Sequence, residues 1–264
     1  MLAEQSIDFV ANVSAETIDR STRTVSLSNG TKLRFSKLLL ATGASPRRLD
    51  NVEGKDGIVL YLRTFFDALT LRERLQPATD IVIVGGGFIG LEIAASAVAR
   101  GCRVTLLEAA SRLLMRGVPE VIANRIAAKQ REAGVKILIS VEIESILGCG
   151  SRYALKLKDG KVFACDLVVA GIGAIPKTRL AATSALSIDN GFRVDDRLQS
   201  EDSDIFAAGD CCSFPHPLYA GRRIRLYRVR RRAVVLVGSI RRDPAGGRSL
   251  RSNVQHRGAP AQRH

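Results

Sequence analysis

The chain has 264 residues, 46% of them hydrophobic, so it is long and apolar enough for one large or two modest globular domains. No apolar run approaches the roughly 18–20 residues that cross a bilayer, and the opening residues MLAE do not start a signal peptide, so we expect a cytoplasmic protein with no membrane partner. The net charge of +14 lies mainly in residues 222–264, which hold 13 of the 40 Lys and Arg residues and one of the 26 acids, so the remainder lacks the basic character of a nucleic-acid-binding protein.

The first predicted elements recur 130 residues later. Residues 25–46 read VSLSNGTKLRFSKLLLATGASP, and residues 155–176 read LKLKDGKVFACDLVVAGIGAIP. Each copy predicts a strand, a tight Asn-Gly or Asp-Gly turn, a return strand, and an apolar strand that enters a loop containing glycine. The gap-free match predicts two related domains. By the same offset, a counterpart of the glycine loop described next would lie about 45 residues before Met1, so we expect one domain to be incomplete.

Between the two copies, the sequence predicts a βαβαβ unit. Strand Asp80–Val84 enters the loop Gly85–Gly90, and a helix then continues to about Arg100. The later elements are strand Arg103–Leu107, a helix from Val118 to Ala133, and strand Val135–Ile139. This order predicts a parallel sheet with helices on both faces.

The loop holds the spacing GxGxxG, with Phe88 and Ile89 inside the motif. Gly85 permits a tight turn, Gly87 lets the backbone approach a pyrophosphate, and Gly90 lets the helix pack close to the strand. The positive N-terminus of the helix then faces the phosphate. The alternative is a glycine-rich turn that binds nothing.

An acid follows Gly90 after 18 residues, at the end of the next predicted strand. Glu108 at this position favours hydrogen bonds to both ribose hydroxyls and disfavours a 2′-phosphate, so NADH is preferred to NADPH. Arg112 offers a positive charge that would partly offset this preference. The alternative for Glu108 is a solvated glutamate at the end of a strand. Glu92 is either a favourable charge near the helix N-terminus or a residue beside the nicotinamide.

The five cysteines form no CxxC pair and no metal-ligand spacing. We therefore expect neither a disulfide framework, nor a redox-active dithiol, nor a metal site. Electron transfer would have to run through a bound cofactor.

Four motifs in this order resemble the FAD-dependent, NADH-using ferredoxin reductases. They are Gly85–Leu106 with Glu108, LLLATGASPR at 38–47, YLRT at 61–64 and DIFAAGD at 204–210. Residues 215–226 are similar to the ferredoxin-reductase branch in particular. The resemblance covers roughly residues 1–226 and implies an α/β fold with two related Rossmann-like, three-layer nucleotide-binding domains, each with a β-hairpin or meander insertion.

The resemblance also implies roles for single residues. Thr42 and Gly43 would lie beside the flavin nucleotide, and Arg47 and Arg63 near its phosphates or adenine. Asp210 would accept a hydrogen bond from a ribityl hydroxyl, with a turn or cap aspartate as the alternative. Gly173 would face the nicotinamide. No side chain is assigned as a catalytic acid, base or nucleophile.

The implied domains divide the chain into four parts. Residues 1–50 would end the first FAD-domain segment, 51–178 would bind NAD(H), 179–226 would return to the FAD domain, and 227–264 would be an Arg-rich, disordered tail. The family's first FAD glycine loop, its lysine near the flavin, and its Glu-led helix after residue 226 have no counterpart here. The tail has the composition expected when a GC-rich coding sequence is translated out of frame. Within the tail, Val229–Val237 is the one candidate strand or helix.

Three functions are compatible with these features. The first is an oxidoreductase that passes hydride from NADH to FAD and electrons to a ferredoxin- or rubredoxin-type acceptor. The alternative is a catalytically inactive fragment that retains only dinucleotide binding. The third, nucleic-acid binding through the tail, lacks a recognition motif.

Overall fold

The computed structural model describes residues 8–50 and 59–214, together with the backbone of 233–237. It shows an α/β fold with parallel sheets, as the sequence predicts. No helix in these ranges is both long and apolar enough to cross a membrane.

The chain first builds a small antiparallel sheet and then two separate strands. The sheet consists of β1 (Ala15–Asp19), β2 (Thr24–Leu27) and β3 (Lys32–Arg34), and the strands are β4 (Lys37–Ala41) and β5 (Ala44–Pro46). Gly30 has a φ of +81°, which confirms that the Asn-Gly turn between β2 and β3 needs a left-handed residue.

The next segment alternates strands and helices. Its elements are β6 (Val59–Tyr61), α1 (Phe65–Arg74), β7 (Asp80–Val84), α2 (Phe88–Ala99), β8 (Arg103–Leu107), α3 (Glu120–Glu132) and β9 (Lys136–Leu138). Thr64 and Asp67 form a reciprocal capping box that starts α1. Gly101 follows the end of α2 at a φ of +81°. The predicted bounds of β7 and β8 are confirmed.

A second antiparallel sheet follows, and the chain then returns to the parallel sheet. The elements are β10 (Ile143–Cys149), β11 (Arg152–Leu157), β12 (Val162–Cys165), β13 (Leu167–Ala170) and β14 (Ala174–Pro176). The last elements are α4 (Ala181–Ser184), β15 (Phe192–Arg193), β16 (Ile205–Ala207), a 3-10 turn at Gly209–Cys211, β17 (Cys212–Ser213) and β18 (Ala233–Val237).

Five strands form one parallel sheet, here called the glycine-loop sheet, in the order β6-β13-β7-β8-β9. Its alternate residues Ile81 and Ile83 pack with α1, α2 and α3 on one face. Val82 and Val84 pack with β10–β12 on the other. The prediction of helices on both faces is therefore wrong, because buried side chains of the antiparallel meander cover the second face instead. These side chains are Ile146, Leu155, Leu157 and Cys165.

A second core joins the beginning and the end of the described chain. Ile18, Val25 and Leu38 pack with residues that come more than 140 positions later, such as Phe192 and Ile205. Within the described residues, β4 lies between β16 and β18, and both pairings are parallel. We call these three strands the β4 sheet.

Strands β5 and β14 join the two copies of the repeat in an antiparallel ladder. Arg47 N–H donates to the Gly173 carbonyl at 2.9 Å, and its counterpart Lys177 N–H donates to the Gly43 carbonyl at 2.8 Å. The repeat therefore meets itself about a local two-fold axis. The facing pairs are Ala44 with Pro176, Ser45 with Ile175, and Pro46 with Ala174.

The C-terminal tail contains one described element. Ala233–Val237 forms strand β18, within the segment Val229–Val237 that the sequence offers as a candidate strand or helix. The backbone N–H and C=O groups of an apolar segment need hydrogen-bond partners, and this segment finds them by pairing with β4. The predictions for 1–7, 51–58, 215–232 and 238–264 lie outside the described residues.

Candidate functional site

The glycine loop turns tightly between β7 and α2. Gly85 has a φ of +104°, and a Cβ there would stand 2.5 Å from the Gly171 carbonyl oxygen. A Cβ on Gly90 would stand 2.0 Å from the Gly85 carbonyl oxygen. Both contacts are with backbone, which cannot yield, so these two positions require glycine. The motif thus brings helix and strand together as predicted.

Gly87 differs from its neighbours. It is the residue before the first turn of α2, and no described atom would lie within 4 Å of a Cβ placed there. Among the described residues, no side chain caps the helix at this end. Phe88 and Ile89 in the first turn are 61% and 46% exposed. The N–H groups of the first turn therefore face an open surface that suits an anion.

Glu108 lies directly beside the loop, at the end of β8. Its Oε2 accepts a hydrogen bond from Gly86 N–H at 2.6 Å, and its Oε1 accepts one from Ala110 N–H at 2.7 Å. These bonds fix the carboxylate plane and leave each oxygen with further acceptor capacity. The predicted position of Glu108 at the end of the second strand is confirmed, whereas its contact with ribose remains a prediction.

Gly86 is the residue of this loop that the sequence analysis missed. A Cβ there would meet the Leu113 side chain at 2.4 Å and Glu108 Oε2 at 3.1 Å. The run of three glycines was the available signal, since the fingerprint itself requires only the outer two. Because Gly86 has no side chain, the Glu108 carboxylate can lie close to it and accept a hydrogen bond from its N–H.

Arg112 does not neutralise Glu108. Its guanidinium donates to the carbonyls of Leu113, Met115 and Val118 at 3.1–3.2 Å. These hydrogen bonds hold together the loop that follows Glu108, so the guanidinium stabilises the backbone of that loop. Glu92 is exposed on α2, and its role stays open.

A second cluster surrounds the end of β4. Gly43 has a φ of +67°, and a Cβ there would lie 3.4 Å from Nη2 of Arg63. The same Arg63 nitrogen donates to Oδ2 of Asp210 at 2.7 Å, although the two residues are 147 positions apart. Asp210 lies in the 3-10 turn after β16, with 58% of its side chain exposed. Three predicted flavin-side residues thus lie together.

Thr42 and Arg47 complete the described flavin-side set. Thr42 Oγ1 donates to the Lys177 carbonyl at 2.7 Å, so its hydroxyl links the two copies of the repeat. Arg47 is bound through its backbone N–H to Gly173, and its side chain is exposed. Ligand contacts of both residues remain predictions.

One short segment connects the two clusters. The Gly171 carbonyl packs against Gly85, and Gly171 N–H donates to the Val84 carbonyl at 2.8 Å. Two residues later, Gly173 has a φ of +113° and no described atom near the position of a Cβ. The predicted nicotinamide-facing residue therefore lies between the glycine loop and the β5–β14 ladder.

Three of the thiols are poor nucleophiles near neutral pH. Burial raises the pKa of Cys165 to about 11 and also raises the pKa values of Cys102 and Cys212. Within the described ranges, no three His, Cys, Asp or Glu side chains are grouped as metal ligands would be.

Comparison with known proteins places this geometry in a family. Residues 2–233 match the model of the pyridine nucleotide-disulphide oxidoreductases. The chain belongs to this family. The match to the family model, like the sequence motifs, covers both clusters and the β5–β14 ladder between them.

Individual relatives agree with this placement. The chain is 38% identical over 221 residues to a rubredoxin-NAD(+) reductase of Pseudomonas putida, covering 83% of this chain and 57% of the relative. It is 36% identical over 261 residues to a putidaredoxin reductase of the same species, covering 92% and 60%. A ferredoxin reductase for the CYP199A2 system of Rhodopseudomonas palustris has a similar structure, with 37% identity, a TM-score of 0.77, and coverage of 81% and 53%. The chain thus spans little more than half the length of these proteins.

Proposed function

We propose that this chain is the nucleotide-binding part of an NADH-dependent FAD flavoprotein that reduces a ferredoxin- or rubredoxin-type protein. The observation that carries the proposal is the open N-terminus of α2, with Gly85 and Gly90 in backbone contact and Glu108 beside them. Such a loop offers N–H groups and a positive helix end to a diphosphate, and an acceptor to a ribose.

Glu108 supports NADH over NADPH. Two backbone N–H groups hold its carboxylate in place, so it cannot turn away from a 2′-phosphate without losing both bonds. Arg112, the nearby positive charge considered from the sequence, is bonded to three carbonyls. No ion pair joins Arg112 to Glu108 in the described residues, so a 2′-phosphate at this position would face the negative charge of Glu108 directly.

The second cluster supports the assignment of FAD. We infer two related nucleotide-binding domains, with Thr42, Gly43, Arg47, Arg63 and Asp210 on the flavin side. Arg63 would provide charge to the flavin nucleotide's phosphates or adenine, and Asp210 an acceptor to a hydroxyl. Gly173, open and without a side chain, would let the nicotinamide and the flavin ring approach each other.

When bound, the two cofactors would supply the redox chemistry, namely hydride transfer between nicotinamide and flavin and the release of single electrons. The chain's own contribution is to hold both nucleotides and to fix the angle between them through the β5–β14 ladder. The acceptor class is inferred from the relatives, which are named as rubredoxin and putidaredoxin reductases, and from a solved covalent putidaredoxin reductase–putidaredoxin complex.

The test is flavin content measured together with NADH-dependent reduction of an artificial electron acceptor. We expect a yellow protein with a flavin absorbance band and a saturable dependence of rate on NADH. Well-folded protein that gives neither activity nor heat of binding with millimolar NADH would contradict it.

A second function is favoured by the Arg63–Asp210 ion pair. These two side chains already bind each other at 2.7 Å, so contacts of either one with FAD would have to compete with this pair, at a cost in binding free energy. If that cost exceeds the gain, the chain binds dinucleotide without holding FAD. A colourless protein that binds NADH but does not oxidise it would support this alternative.

A further inference from the structure

The β5–β14 ladder carries equivalent backbone hydrogen bonds at its two ends. Arg47 N–H donates to the Gly173 carbonyl at one end, and Lys177 N–H donates to the Gly43 carbonyl at the other. At the offset of 130, these two bonds join the same positions of the repeat with the copies exchanged. The backbone of the ladder is therefore symmetric at its ends.

The side chains next to these bonds differ. Thr42 corresponds to Ile172 at the same offset. The Thr42 Oγ1 lies 2.7 Å from the Lys177 carbonyl oxygen, whereas the Ile172 side chain has no polar atom to offer. Ile172 and Arg47 instead line a cavity of about 220 Å³. The hydroxyl thus adds a hydrogen bond at the Thr42 end that its counterpart cannot make.

The direction of the Thr42 hydrogen bond follows from its partner. A carbonyl oxygen has no proton, so the hydroxyl must be the donor. A hydroxyl has a single proton, so Thr42 can only accept from a ligand while it is bonded to Lys177. It is therefore unable to donate to a phosphate or a ring carbonyl of a flavin nucleotide, since these groups are acceptors as well.

Lys177 is held at both of its backbone polar groups. Its N–H donates to the Gly43 carbonyl at 2.8 Å, and its carbonyl accepts from Thr42 at 2.7 Å. These two bonds are here called the Lys177 clamp. From the clamp the chain runs back through Pro176, whose ring fixes its φ, and along β14 to Gly173. A displacement at the clamp is therefore transmitted to Gly173 through a short, stiff stretch of paired backbone.

We propose that Thr42 is a positioning residue for hydride transfer, a role that rests on the proposed function. Thr42 and Gly43 belong to the proposed flavin side, and Gly173 is the residue proposed to face the nicotinamide. Through the Lys177 clamp, the Thr42 hydroxyl holds these two sides at one separation. It acts on the reaction through the backbone, without touching the reacting atoms.

Two substitutions of Thr42 test this role. Valine has the shape of threonine without the hydroxyl, and serine keeps the hydroxyl. We expect Thr42→Val to lower kcat for NADH-dependent reduction of an artificial acceptor about tenfold, with flavin content and the KM for NADH unchanged. Thr42→Ser should restore the rate. Thr31→Val, at an exposed position between β2 and β3, is the control.

Amide hydrogen exchange measures the Lys177 clamp without any cofactor. The Lys177 amide should exchange about tenfold faster in Thr42→Val than in the parent. The Arg47 amide, at the other end of the ladder, should keep its rate and report that the fold is intact. Thr42→Ala also lacks the hydroxyl and gives the same expectation if Thr42→Val fails to fold.

Three results would overturn the proposal. They are an unchanged exchange rate of the Lys177 amide, an unchanged kcat, and a change confined to the KM for NADH. Loss of flavin in Thr42→Val without faster exchange would show that the hydroxyl binds the flavin nucleotide instead. A parent protein that neither holds flavin nor oxidises NADH would contradict the proposed function, and the exchange comparison would still decide whether the clamp exists.

Discussion

Within the glycine loop, two substitutions of the same size separate folding from binding. Gly90→Ala places a Cβ 2.0 Å from a backbone oxygen, whereas Gly87→Ala places one in open space. We expect Gly90→Ala to lower the free energy of unfolding by about 1–3 kcal/mol. Gly87→Ala should unfold like the parent but bind NADH about tenfold more weakly, because the methyl group blocks the approach of the diphosphate.

Thermal unfolding and calorimetric titration with NADH measure the two effects. Equal stability losses in the two variants would contradict the view that Gly87 serves the ligand and Gly90 the fold.

Glu108 is the residue that should set coenzyme preference. In Glu108→Gln, one of the two N–H groups of Gly86 and Ala110 would face an amide NH2 instead of an oxygen. We expect the Kd for NADH to rise about tenfold and the preference over NADPH to shrink. Titration with each coenzyme gives the ratio, and Glu120→Gln, at an exposed position on α3, is the control. An unchanged ratio would remove Glu108 from the specificity argument.

At the scale of secondary-structure elements, ion pairs of Asp80, at the start of β7, link three strands. Its carboxylate accepts from Arg103 on β8 and Arg152 on β11, each at 2.6 Å. The hydrogen bond from Arg103, above all, lowers the pKa of Asp80 below its usual value, despite the opposing effect of partial burial. The stabilisation is therefore present above about pH 4 and is lost as the pH falls through the lowered pKa.

Asp80→Asn should lower the free energy of unfolding by about 1 kcal/mol at neutral pH, since partly exposed ion pairs contribute little more. The difference from the parent should shrink as the pH falls below about 4 and vanish below the lowered pKa of Asp80. Denaturant unfolding across this range measures it, with Glu144→Gln in the exposed pair with Lys156 as control. A difference that is constant with pH would show that the charge is not the cause.

For the whole molecule, the β5–β14 ladder decides whether the two copies of the repeat unfold together. Pro46 and Pro176 lie opposite Ala174 and Ala44, at positions between the hydrogen-bonded pairs, where a missing N–H costs nothing. Ile175 lies at a hydrogen-bonded position. Ile175→Pro should therefore weaken the ladder and split a single thermal transition into two.

Ile175→Ala is the matched control, because it keeps the N–H and removes only a side chain that is 47% exposed. Calorimetry of both variants distinguishes the effects. A single transition in Ile175→Pro would mean that other contacts couple the two units.

Local patterns determined much of this fold. The β-branched apolar run of Asp80–Val84, the glycine spacing from Gly85 to Gly90, and the Asn-Gly and Asp-Gly turns each constrain only neighbouring residues. Their physical causes, namely backbone sterics and side-chain periodicity, act over a few residues. These predictions agree with the structure for that reason.

What lies on the second face of a sheet depends on distant residues. The βαβαβ order does not reveal that β10–β12 cover the glycine-loop sheet, because strand pairing and packing join segments far apart in the chain. The same holds for the hydrogen bond from Gly86 to Glu108 and for the ion pair of Arg63 with Asp210.

The sequence by itself determined the two related strand motifs, the glycine turn and the acid at the end of the next strand. Only the tertiary structure decided that the two motifs meet about a local two-fold axis and that Ala233–Val237 fills the place beside β4. A turn follows from the conformations open to a few residues, whereas the neighbour of a strand edge is whichever segment satisfies its backbone hydrogen bonds best.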